Sequence, residues 1–205
     1  MFEEFFMINF LKKLSYAFLG KINDFLSFEA INRMRARQKK FRNTGIDCEF
    51  RGNSLILGEQ FISIGNHFHS GNHLRIEAIG NRGLQTFHPS IEIGDDVSIE
   101  DFCHIGCIEK IRIGSGTMIA SRVYISDHSH GNITHEDLEF PPTKRPLFGK
   151  PVNIGKNVWL GEGCCILPGV SLGDNVIVGA NAVVTHSFPD NSVIAGVPAK
   201  VIKTL

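Results

Sequence analysis

Ile154-Gly155-Lys156-Asn157-Val158-Trp159-Leu160-Gly161-Glu162-Gly163-Cys164-Cys165-Ile166-Leu167-Pro168-Gly169-Val170-Ser171-Leu172 returns to a large aliphatic residue at every sixth position, with glycine directly after most of them. The same column continues through Val178 and Val184. Upstream, Ile93, Ile99 and Ile105 form a second run, and Ile113, Ile119 and Ile125 a third. Ile64, Ser70 and Ile76 keep the register more faintly. The repeat is therefore strong in the C-terminal half and degrades toward the N-terminus.

A six-residue unit with one deeply apolar position and one small residue is too short for a helical hairpin; it suits a short strand and a corner. Gly94-Asp95, Gly155-Lys156-Asn157 and Gly173-Asp174-Asn175 supply turn chemistry, because glycine tolerates positive φ and Asn or Asp bonds its own backbone. Three bends close a coil after about 18 residues, and stacked coils bury their aliphatic positions in one column. The expected fold is all-β, a parallel β-helix with triangular coils. An open α/β sheet would need crossover helices of a dozen or so residues between strands, and the repeat has no room for them.

The repeat breaks between Ile125 and Ile154. This stretch contains Asp127, His128, His130, His135 and a proline-rich segment over residues 141–151. Long excursions from a compact coil are usually functional, so residues 126–151 are expected to protrude and to carry chemistry. A second cluster, His67, His69 and His73, has spacing that can ligate a metal, but no carboxylate or thiol completes an obvious set. No metal is expected.

Equal numbers of basic and acidic residues, 21 each, exclude a general field for nucleic acid. The five cysteines are odd in number and lack C-x-x-C spacing, which fits a reduced, cytoplasmic protein. Residues 1–45 are expected to form an N-terminal helical extension, and residues 46–205 the repeat domain. In the extension Phe6, Phe10, Leu14, Phe18, Ile22, Phe25 and Leu26 recur at helical spacing. Glu3, Glu4, Lys12, Lys13, Lys21 and Asp24 interrupt it too often for a membrane span. Packing on the domain or on a sister subunit is the first expectation for this amphipathic stripe. Docking on the inner membrane face is the second, because Arg33, Arg35, Arg37, Lys39, Lys40 and Arg42 follow as a basic run.

The stretch from Ile91 to Leu205 resembles the hexapeptide-repeat acyltransferases, galactoside and maltose O-acetyltransferases and bacterial polysaccharide O-acetyltransferases among them. The resemblance is carried by Ile125-Ser126-Asp127-His128-Ser129-His130-Gly131, Val158-Trp159-Leu160-Gly161, Ile166-Leu167-Pro168-Gly169-Val170 and Ala195-Gly196-Val197-Pro198-Ala199-Lys200-Val201-Ile202. It implies a left-handed coil, against the usual right-handed rule for parallel crossovers. It also implies a homotrimer with acetyl-CoA bound between the coils of two subunits, and His128 as the catalytic base.

A base is needed because a sugar hydroxyl attacks a thioester only if its proton is removed as the bond forms, and neutral imidazole suits that task. The resemblance places His104, Asp127 and His130 at the acceptor. It places Trp159, Gly161, Gly179, Ala180, Thr185, His186 and Lys200 along the donor, with His186 standing where the family commonly has lysine. Cys164 and Cys165 lack a partner base and are expected to be inert. The expected reaction is O-acetylation of a sugar hydroxyl in a surface polysaccharide or glycoside. The alternatives are N-acetylation of a nucleotide-linked amino sugar and a non-catalytic β-helix module for binding or assembly. A zinc-dependent carbonic anhydrase on the same coil would need histidines on adjacent coils.

Overall fold

In a computed structural model the described residues are Lys21 and residues 40–205 except Ile133. The compact unit Lys40–Leu205 is a left-handed parallel β-helix. The helical extension expected over residues 1–45 lies almost wholly outside the described residues. The first strand, Asn43–Thr44, already pairs with Ile62–Ile64, so the coil begins before residue 46. No helix among the described residues is long and apolar enough to cross a membrane.

Three sheets form the faces of the prism. Each inward column is one face of the repeat: Ile64, Ile93, Ile113, Ile154 and Leu172 on the first. The second stacks Phe50, Ser70, Ile99, Ile119, Leu160, Val178 and Ile194. The third stacks Ile56, Ile76, Ile105, Ile125, Ile166 and Val184. Nearly all are fully buried, each isoleucine contributing about 2 kcal/mol of apolar burial. At the N-terminal end of the column Phe41 stacks on Phe50 with centroids 5.5 Å apart, and Phe68 lies tilted against Phe50 at 5.0 Å.

The corners hold themselves by side chains of the same kind in register. Asp95 Oδ1 accepts the Asn66 N–H at 2.6 Å, Asp174 Oδ1 accepts from Lys156 N at 2.7 Å, and Asp190 Oδ1 accepts from Asp174 N at 2.8 Å. Asn157, Asn175 and Asn191 sit in the left-handed region, where Asn costs little. His67 and His73 also occupy such corner positions, His67 at φ 55° and His73 at φ 57°, while His69 points outward from the second face between them. The topology thus separates the three rings onto a corner, a face and another corner. His73 stacks on Phe102 at 4.7 Å instead of turning toward His69.

The sequence suggested one break in the repeat; the structure has two. The coil advances 18 residues between Lys156 and Asp174 and 20 between Cys107 and Asp127. It advances 29 between Asn66 and Asp95, because a hairpin, Asn81–Arg82 with Gln85–Thr86, is inserted there. It advances 41 between Thr117 and Val158, where residues 127–151 leave the coil. Both insertions depart at the corner after the third face. The hairpin was missed because the turn at Gly83 interrupts a region where the apolar repeat is already faint.

Candidate active site

Asp127 and His128 follow the third-face strand Tyr124–Ser126. Asp127 N still donates to Gly106 O at 3.2 Å, so it prolongs the ladder one step past the strand. The chain then turns outward. His128–His130 pairs antiparallel with Leu147–Gly149, and Lys150 N donates to Asp127 O at 2.7 Å, closing the neck of the loop. His128 therefore stands on a two-stranded ribbon anchored in the coil, not on a free loop.

The carboxylate of Asp127 is fully buried. One oxygen, Oδ1, accepts His128 Nδ1–H at 3.0 Å and Ile108 N–H at 2.9 Å; the other accepts Glu109 N–H at 2.8 Å and the Cys107 thiol at 3.1 Å. Burial pushes its pKa up, but the hydrogen bonds from His128, Ile108, Glu109 and Cys107 outweigh burial and hold it below the usual carboxylate range. The same arrangement raises the Cys107 thiol far above its ordinary value, by burial first and by the Asp127 charge second. Asp127 was expected at the acceptor; its carboxylate is completely buried and lies against His128 Nδ1. With Nδ1–H committed to Asp127, Nε2 of His128 is left as the acceptor nitrogen.

His128 opens onto a cleft of about 240 Å³ whose walls include Arg75, Glu77, His104, Tyr124 and His130. His104 lies one coil below, its Nε2–H directed at Glu77 Oε2 at 3.1 Å and its ring edge-on to Tyr124 at 5.4 Å. Burial and then the Arg75 charge lower the His104 pKa against the opposing pull of Glu77, so this ring resists protonation. Asp101, three residues before His104, accepts Asn72 N–H at 2.6 Å on a corner. His130 both lines the cleft and meets Pro142 O at 3.3 Å within the loop. Gly106 was not singled out from the sequence; a Cβ there would come within 3.2 Å of His128 Cε1, so glycine makes room for the His128 ring.

The residues expected at the donor are dispersed within one chain. Thr185 and His186 directly follow Val184, which stacks over Ile166 and Ile125. They occupy the same edge as Ser126 two coils on, about 10 Å along the axis. Thr185 Oγ1 and His186 Nδ1 lie 3.3 Å apart, and both residues are exposed. Trp159 lies on the second face, paired with Met118 and Ile177, and is 48% exposed. Gly179 and the exposed Ala180 lie at the corner between the second and third faces, and Lys200 starts the C-terminal strand Lys200–Thr204. Gly161 is buried, and an added Cβ would meet Val178 O at 2.5 Å, so coil stacking requires glycine there. Cys164 is buried and its thiol is pushed up to about 12, chiefly by burial and then by Cys165.

A coil of six-residue units with an Asp–His pair at its edge can be compared with known proteins. The profile described as "Bacterial transferase hexapeptide (six repeats)" matches residues 151–186. The putative lipopolysaccharide biosynthesis O-acetyl transferase WbbJ of Escherichia coli K12 is 47% identical over 152 residues, covering 72% of this chain and 74% of that protein. The galactoside O-acetyltransferase of the same organism is 38% identical over 95 residues, 46% of this chain and 44% of that protein. Among solved structures, galactoside acetyltransferase in complex with coenzyme A superposes with a TM-score of 0.57 at 25% identity, covering 86% of this chain and 71% of that one. The N-acyltransferase AntD of Bacillus cereus has the same fold, with a TM-score of 0.68 at 22% identity over 84% of this chain and 88% of its own. The chain belongs to the hexapeptide-repeat transferase family. Within that family it is an acetyltransferase.

Proposed function

We propose that the protein transfers the acetyl group of acetyl-CoA to a sugar hydroxyl of a surface polysaccharide or glycoside, with His128 as general base. The observation that carries this reading is the Asp127–His128 pair, whose buried carboxylate leaves Nε2 free over a cleft of sugar size. In the reaction the acceptor hydroxyl gives its proton to Nε2 as its oxygen bonds the thioester carbon. The C–S bond then breaks and the proton passes from Nε2 to the departing CoA thiolate. No acyl-enzyme forms, and a backbone N–H or nearby side chain holds the oxyanion.

The donor arm would run from His128 along the edge that carries Thr185 and His186, toward the phosphates near Lys200. Trp159 stands on another face, so it joins that channel only if a second copy supplies the facing wall. This supports a homotrimer with sites between subunits. An odd number of cysteines without C-x-x-C spacing fits a reducing, cytoplasmic compartment. The identity with WbbJ favours a hydroxyl acceptor; AntD, at 22% identity, shares the fold alone.

The test is release of CoA thiol from acetyl-CoA across sugars, sugar nucleotides and matched amino sugars, for the wild type and His128→Ala. Acceptor-dependent release from hydroxyl sugars that collapses in the variant is expected. Transfer to amines alone would replace O- by N-acetylation. Absence of both release and CoA binding would leave a non-catalytic module.

A further inference from the structure

Beside the cleft over His128 lies a second opening of about 360 Å³, formed where the hairpin of residues 81–86 meets residues 143–146 of the catalytic loop. Arg82 lines both openings. Lys144 and Arg145 line the second. None of these three cations has a carboxylate partner among the described residues, whereas the neighbouring Arg75 is neutralised by Glu77 at 2.7 Å. The Arg82 guanidinium is half spent: Nη2 donates to Thr143 O at 3.1 Å, but Nη1 is buried with no hydrogen-bond partner. Such a donor can take an oxygen acceptor from a ligand or from water.

The opening is also held in shape. Gln85 Nε2 donates to Leu147 O at 3.1 Å, and Leu147 N donates to Gln85 Oε1 at 2.8 Å, so one side chain locks hairpin to loop from both sides. A fixed guanidinium fork with two further cations matches the oxygens of a phosphate or diphosphate. A sugar carboxylate would fall inside the cleft with the reacting hydroxyl; a separate cationic opening next to that cleft instead fits an anion attached to the sugar through a bond.

We infer that the acceptor is a sugar carried on a phosphate or diphosphate, with its anionic oxygens seated on Arg82, Lys144 and Arg145 while the sugar reaches the cleft over His128. This rests on acetyl transfer to a saccharide, and the test separates the two. With the donor site saturated by CoA, inorganic pyrophosphate is titrated calorimetrically into the wild type and the Lys144→Gln variant. Arg82 and Arg145 are kept because they brace Thr143 and Phe140. Binding that weakens about tenfold or more in the variant, at unchanged thermal midpoint, is expected, since charge-assisted contacts are of that order. Absent binding, or equal binding in both proteins, overturns the anion site.

Steady-state transfer is then compared for a nucleotide-diphosphate sugar, a polyprenyl-diphosphate sugar and the matched methyl glycoside. KM for a diphosphate acceptor should rise about tenfold in the variant with KM for acetyl-CoA unchanged, and the diphosphate with the lower KM names the carrier. The methyl glycoside, having no phosphate, is the internal reference. A rise confined to KM for acetyl-CoA assigns these cations to the donor and overturns the inference. Failure of every saccharide to accept acetyl overturns the saccharide reading, while the pyrophosphate titration still decides the anion site.

Discussion

Asp127 and His128 are neighbours in the chain and partners in space: Oδ1 of the first accepts Nδ1–H of the second at 3.0 Å, while the turn of the coil below grips the same carboxylate through the N–H groups of Ile108 and Glu109. His128→Ala should lower kcat about 10²- to 10⁴-fold, the usual worth of a positioned base, with little change in KM. Asp127→Asn should lower kcat as well and also destabilise the fold by about 3 kcal/mol, because an amide NH₂ would face buried N–H donors. Steady-state kinetics and thermal melts check both. An Asp127→Asn enzyme with full kcat would remove the orienting role.

The pH dependence has a worked sign at two groups. The Asp127 pKa is depressed in the folded state, so its stabilisation is present above the ordinary carboxylate value and is lost as pH falls through the depressed one. The His104 pKa is also depressed, which for a base means that the folded state resists protonation. A penalty therefore grows as pH falls below the ordinary histidine value of about 6.5 toward the lowered one. Glu77→Gln removes the group that opposes this, so NMR titration should find the His104 pKa lower still in that variant. An upward move would contradict the network.

The vicinal thiols should be bystanders. Cys164, held near 12, remains protonated at neutral pH, and Cys164→Ser or Cys165→Ala should leave kcat within about twofold of the wild type. Loss of activity in a well-folded variant would reopen an acyl-cysteine pathway.

Gln85 is predicted to act through loop placement. Gln85→Ala deletes two hydrogen bonds to the Leu147 backbone, worth about 2 kcal/mol together. Proteolysis within residues 131–146 should accelerate and KM for the acceptor should rise, with KM for acetyl-CoA unchanged. Equal proteolysis rates would show that the clamp is dispensable.

Trp159 is the chain's single tryptophan, so its fluorescence reports on one place. Saturating CoA should shift its emission if the donor channel is flanked as proposed. Unchanged emission, with CoA binding verified by calorimetry, would take Trp159 out of the channel.

Much of this geometry was open to sequence reasoning because the inward columns obey a fixed period. Even the faint Ser70 falls in line between Phe50 and Ile99. Once the coil length of 20 residues is known, Ile105 under Ile125 puts Cys107 against Asp127, the contact that betrays the buried carboxylate. An 18-residue coil misplaces that pair by two positions, so the period alone does not bring Cys107 to Asp127. Glu77, Arg82 and Gln85 were not legible for a different reason: they come from a coil and a hairpin where polar residues replace the repeat, and only tertiary pairing brings them to His128 and Leu147. The role of Gly106 depends on the position of a ring 22 residues on, so no local signal marks it.

Both insertions leave the prism at one corner, while the coils above and below pair as though nothing had been added. Chain length at that corner is therefore free to vary without cost to register elsewhere. Such a scaffold can be re-addressed: grafting another hairpin and another loop at the same two exits would reshape the cleft beside an unchanged coil, so diversity of site shape can arise from exchange of two short cassettes.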